Sequence, residues 1–147
     1  MKRFFFLLIS LFAIIFYSSQ KAHAQSVSDW KQLYLDIAGS TNVKGIEVFA
    51  QVNTCNDEGV INIKFINHNG YAVTVKWLDA VRTLDQKWIK KEKPGDKKSL
   101  TIEANKEIKG DCLSNKYTEC IIKLKDFLDK PDNFYEYAIY HLDVLAL

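Results

Sequence analysis

From Ile46 onward the chain alternates between apolar and polar positions. In Ile46–Val52 (IEVFAQV) the even positions are apolar, with Phe49 an extra on the opposite face. In Ile61–Phe65 (INIKF) and Tyr71–Trp77 (YAVTVKW) the odd positions are apolar, and in Leu100–Ala104 (LTIEA) the even ones again. A period of two in segments rich in β-branched and aromatic residues predicts strands. Asn56-Asp57-Glu58-Gly59 and Asn67-His68-Asn69-Gly70 are short connections of the kind that join antiparallel hairpins. Another turn is expected at Pro94-Gly95-Asp96, between Trp88-Ile89 and Leu100. Cys120–Phe127 and Phe134–Leu145 add the last strands, and a parity change between Ile139 and Leu142 predicts a bulge. Ahead of the strands, Trp30, Leu33, Tyr34 and Ile37 recur at helical offsets. Residues 26–39 are therefore expected as a short helical segment, capped by Ser26 or Ser28 and stopped at Gly39.

About seven strands without helix-length connections predict an all-β, antiparallel β-sandwich. A parallel sheet would need helical crossovers. Asn62, Lys64, Thr74 and Lys76 are expected to face water.

The first 24 residues carry a different pattern. Lys2 and Arg3 precede an apolar run from Phe4 to Tyr17, and Ala22-His23-Ala24 follows a polar stretch. This is the layout of a secretory signal peptide, with cleavage expected between Ala24 and Gln25. The apolar run is shorter than the ~20 residues that span a bilayer as a helix. No cysteine stands near the cleavage point to carry a lipoprotein anchor. Residues 1–24 are thus read as the signal and 25–147 as a single sandwich domain, with no membrane-spanning segment after cleavage.

Removing the signal changes the charge. The 147 residues carry 20 basic and 18 acidic side chains, a net of +2. Residues 1–24 contain Lys2, Arg3 and Lys21 and no acid, so the remainder holds 17 basic and 18 acidic residues, a net of −1. Arg82 is its single arginine. A near-neutral domain with one arginine disfavours nucleic acid as a partner.

Cys55, Cys112 and Cys120 in an exported chain point to an oxidising compartment. A Cys55–Cys112 bridge would tie two strand ends; a Cys112–Cys120 bridge would close a local loop. There is no C-x-x-C, and His68 and His141 are the only histidines after residue 24, so no metal or other cofactor is expected. No G-x-S-x-G, H-E-x-x-H, P-loop or G-x-G-x-x-G occurs. His68 sits in an Asn-rich turn and His141 in an aromatic strand, positions that suit structural histidines.

The most biased stretch is Lys87–Lys98, with six lysines and two acids around a Pro-Gly turn. It reads as a basic hairpin in which Lys87, Trp88, Lys90, Lys91 and Lys93 are candidates for docking a protein or an anionic polymer. The competing reading is a solvated hairpin whose lysines deter edge-to-edge pairing. Tyr135, Tyr137 and Tyr140 offer a second candidate face. Alternation assigns Tyr135 and Tyr137 to one side and Tyr140 to the other.

The segments IEVFAQVNTC, INIKFINHNGYAVTVKW and LTIEANKEIKGDC share a layout: a strand ending in Cys, an Asn-bearing strand, a Trp-ending strand and a late Gly-x-Cys. In this the chain resembles small secreted immunoglobulin-like β-sandwich proteins of bacterial envelopes. The resemblance covers about half of residues 25–147. It implies an immunoglobulin-like fold and a Cys55–Cys112 bridge, and Cys120 departs from it. It brings no catalytic residues. The functional expectation is an exported, periplasmic or extracellular, non-catalytic binding or accessory module. A small envelope hydrolase and a structural subunit of a surface assembly are the alternatives.

Overall fold

The computed structural model describes residues 29–114 and 116–147. The signal peptide and the Ala24–Gln25 junction lie outside the described residues. Ten strand segments form two antiparallel sheets: β1 (Lys31–Gln32), β2 (Asn42–Val43), β3 (Ile46–Cys55), β4 (Glu58–Asn67), β5 (Val73–Thr83), β6 (Trp88–Lys90), β7 (Lys98–Ile102), β8 (Glu107–Lys109), β9 (Ile121–Lys123) and β10 (Phe134–Ala146). They occupy seven strand positions, because three edges are interrupted. β1 and β2 share one edge of β3, β8 and β9 share the free edge of β4, and β6 and β7 share one edge of β5. The sheets are thus β1/β2–β3–β4–β8/β9 and β10–β5–β6/β7.

Four and three positions is also the division of a constant-type immunoglobulin sandwich. The order along this chain is its own: the long strands β3 and β4 form a hairpin within one sheet. Asn56 and Asp57, both at positive φ, make the two-residue turn between Cys55 and Glu58 that suits the strands' twist. Lys44 and Gly45 make a similar turn ahead of β3, and a Cβ at Gly45 would strike the Asn69 amide.

The inward residues of both sheets meet in one core. Ile46, Val48, Ile61, Ile63 and Phe65 face Val73, Val75, Trp77, Val81 and Ile139. Phe65 and Trp77 join the layers, ring centroids 4.8 Å apart and tilted by 52°.

Several expectations are corrected. The segment 67–70 is no hairpin turn; it carries the chain from one sheet to the other. Asn67, nearly fully buried, explains the corner. Its amide donates to the carbonyls of Tyr71, Ile102 and Glu103, and its Oδ1 accepts from the Asn69 N–H. A side chain that bonds the crossing segment at Tyr71 and the end of β7 at Ile102 and Glu103 replaces the ladder a hairpin would have supplied. Asn62 does not face water: it is buried, with the disulfide sulfur of Cys112 3.8 Å from its Oδ1. Lys64 is half-buried, its Nζ 5.0 Å from the Trp30 ring centroid and 4.7 Å from that of Phe49.

The helix expected over 26–39 has residues 26–28 outside the described ones. Over 29–39 the chain forms β1 and a turn, with no helix. Leu33 and Leu35 are buried while Tyr34 and Ile37 are exposed, so the working period there is two. The Leu33 N–H donates to the Val48 carbonyl, an available sheet edge that outcompetes a short isolated helix. The bulge expected near the end of β10 is present as a register shift between Tyr140 and Asp143, with His141 at φ 51°.

Candidate functional site

The lysine-rich stretch does not fold as a hairpin. β6 and β7 do not pair with each other; both pair with β5, in line along one edge. Lys90 lies opposite Ala80 and Lys98 opposite Trp77. Residues 91–97 thus occupy the place of only two β5 residues, Leu78 and Asp79. They leave the sheet as an excursion closed by one helical turn at Pro94–Asp96, where Asp96 Oδ2 accepts from the Lys93 N–H (2.9 Å). Proline and a bulging edge are devices that blunt a sheet edge.

The excursion divides the candidate residues. Trp88 and Lys90 alternate onto the outer face of the three-position sheet. Lys91 turns to the other side, its Nζ 4.9 Å from the Phe127 ring centroid. Lys87 and Lys93 stand exposed in the flanking turns.

On the outer face, three neighbouring strands bring a row together. Trp88 on β6 lies opposite Arg82 on β5, which lies opposite Glu136 on β10. The irregularity between Phe134 and Glu136 frees Tyr135 from the ladder, and its ring comes within 5.5 Å of the Arg82 guanidinium carbon. The Trp88 ring lies 5.8 Å from the same carbon. Both rings are open to solvent, Trp88 by 41% and Tyr135 by 53%. Arg82 Nη1 stands 3.5 Å from Glu136 Oε2, and its Nε is buried without a hydrogen-bond partner among the described residues. Below this row, Lys90 Nζ lies 5.3 Å from the Tyr140 ring centroid and 3.9 Å from Glu92. The Tyr140 hydroxyl donates to the Lys91 carbonyl (2.6 Å), clamping the start of the excursion.

The tyrosines therefore separate differently from the alternation argument: Tyr137 is core, while Tyr135 and Tyr140 serve the outer face. Arg82 was visible only as a lone arginine. Its place beside Trp88 follows from the short turn after Thr83, where the Thr83 N–H donates to the Lys87 carbonyl.

No family model, curated protein or solved structure matches this chain.

Under the excursion lies a polar cleft of about 400 Å³ at the seam between the sheets, lined by Asp79, Lys91, Asp96, Lys98, Asp126 and Phe127 among others. Asp79 faces the core, in step with Trp77 and Val81. Its Oδ1 accepts from the Tyr137 hydroxyl (2.6 Å) and the Trp77 indole N–H (3.0 Å). Its Oδ2 pairs with Lys98 Nζ at 2.9 Å, and Lys98 also donates to the Glu119 carbonyl. Every oxygen of this carboxylate is engaged, so the arrangement acts as a structural lock. Burial and the Asp79 charge push the Tyr137 hydroxyl pKa well up.

His68 Nε2 lies 3.0 Å from Glu47 on the surface of the other sheet, and the His141 ring packs beside Tyr140. Among the described residues, no group of three or more His, Cys, Asp or Glu is placed to hold a metal ion.

Cys55 and Cys112 are bridged, Cα atoms 5.8 Å apart, and Cys120 is free and buried. Burial pushes the Cys120 thiol up to about 12, so the reactive thiolate is scarce at neutral pH. Native protein at pH 8 should resist iodoacetamide and take up one equivalent only on unfolding. Intact mass before and after denaturant checks this, and rapid native labelling would contradict it.

Proposed function

We propose that the chain is an exported, non-catalytic binding or accessory module of the bacterial envelope, immunoglobulin-like in architecture, that docks a protein or an anionic polymer. The docking surface is the outer face of the three-position sheet, centred on Arg82, Trp88 and Tyr135 with Lys87 and Lys90 beside them. The observation that supports it is the row of two solvent-open rings flanking a half-buried arginine across three strands. Large exposed aromatics and arginine are the side chains that dominate recognition surfaces. The disulfide fits export. Among the described residues no helix is long and apolar enough to cross a membrane.

Replacing Trp88 and Tyr135 together by alanine should leave the melting temperature nearly unchanged, since both rings are half open to water. It should lower retention of the protein on an isolated native envelope fraction by roughly tenfold or more. Unchanged retention in a folded variant would remove this face from consideration.

A further inference from the structure

We propose that the Tyr135–Arg82–Trp88 row binds a carboxylated polysaccharide, a chain of sugar rings bearing uronic-acid groups. This rests on the docking-face reading above and supplies its ligand. The row runs across the strands rather than along them. β10 and β6 flank β5, so the two rings stand on strands about 10 Å apart, two interstrand spacings. A pair of linked sugar rings spans such a distance, with each apolar ring face laid on an aromatic ring.

Between the rings, the guanidinium is under-used. Its contact with Glu136 at 3.5 Å is longer than a charge-assisted hydrogen bond, and Glu136 is shared with Lys31 at 4.0 Å. Among the described residues the Arg82 Nε has no hydrogen-bond partner, and Glu136 is the one carboxylate paired with the guanidinium. An arginine fork fits a carboxylate best by two parallel bonds. Lys87 stands exposed in the turn before Trp88, Lys90 lies below the row, and Lys31 stands beside Glu136 on the β10 side, so acidic groups of the ligand meet cations around the row.

The face suits a polysaccharide better than other chain-like occupants. The backbone of β5 under Arg82 is paired on both sides, so an added peptide strand would join at the outer edges of β10 or β6, beside the row rather than over it. Few cations, partly countered by Glu136 and Glu92, suit a ligand held by one or two carboxylates together with ring contacts better than a nucleic acid, whose binding rests on many phosphate contacts.

The test uses the exported protein and polygalacturonate as probe in affinity gel electrophoresis at low salt. Dextran, poly-glutamate and single-stranded DNA run as parallel arms. Retardation is expected with polygalacturonate alone, weakened by added salt. Trp88→Ala and Arg82→Gln should each reduce it by roughly tenfold, while Glu136→Gln should preserve or strengthen it. Thermal melting of each variant separates lost contact from lost fold, and Trp88→Ala decides the outcome if Arg82→Gln unfolds. Absence of retardation, indifference to Trp88→Ala, or stronger binding to poly-glutamate or DNA would overturn the proposal. If Trp88→Ala abolishes envelope retention but polygalacturonate fails to compete, the sugar ligand is wrong and the docking face stands. If envelope retention ignores Trp88, the docking face itself fails.

Discussion

Replacing Asp79 by alanine should destabilise the protein by about 3 kcal/mol. Asp79 is a carboxylate on the core face of the central strand β5, 3% exposed, and three donors converge on it. Its removal leaves the Tyr137 hydroxyl, the Trp77 N–H and the Lys98 ammonium without their acceptor. Breaking one side of a buried ion pair costs about 3–5 kcal/mol, and the lower end applies because Lys98 is a quarter exposed and keeps the Glu119 carbonyl. Tyr137→Phe removes only one hydrogen bond to a charged group and should cost about 1.5–3 kcal/mol. The double change Asp79→Leu, Lys98→Met removes both charges, so it should be milder than Asp79→Ala alone. Urea midpoints at constant slope would measure all three. An Asp79→Ala protein within about 1 kcal/mol of the parent would refute the lock.

Asp79 also shows where sequence pattern carries information and where it stops. Val73, Val75, Trp77, Asp79, Val81 and Thr83 share one parity, so the inward position of the aspartate was written in the alternation. A strand expected to end at Trp77 leaves Asp79 out of that alternation. The long strands and the Asn56-Asp57 turn follow from local rules, because period two and positive-φ residues act within a few positions. Which edges pair is decided by contacts far apart in the chain. Nothing near Lys87–Lys98 says that its two arms line up along β5, and nothing near Asn67 says that its amide will satisfy carbonyls of residues 102 and 103. The N-terminal segment is a true competition: Trp30, Leu33, Tyr34 and Ile37 fit a helix, Leu33 and Leu35 fit a strand, and the free edge of β3 settles it. The candidate row is hidden for the same reason. Tyr135, Arg82 and Trp88 lie in three separate segments, and only the sheet register brings them side by side.

The second large effect concerns the covalent link. A Cys55→Ser, Cys112→Ser protein should lose about 4 kcal/mol, because the bridge closes a separation of 57 residues in the unfolded chain. Reductant added to the parent should produce a similar fall in the urea midpoint and leave the double variant unmoved. The loss should be uneven across the fold. Cys112 lies between β8 and β9, three-residue strands that share the free edge of β4, and the bridge ties their connection to the end of the β3–β4 hairpin. Short edge strands have few ladder bonds, so they open first once the tie is gone. Hydrogen exchange should therefore quicken at β8, β9 and Asn62 well before the β5–β10 pair, whose register runs from Val73 to Thr83. Uniform loss of protection across both sheets would mean that the bridge acts only on the unfolded chain. Faster exchange confined to β8, β9 and Asn62 would show that it also holds the edge shut.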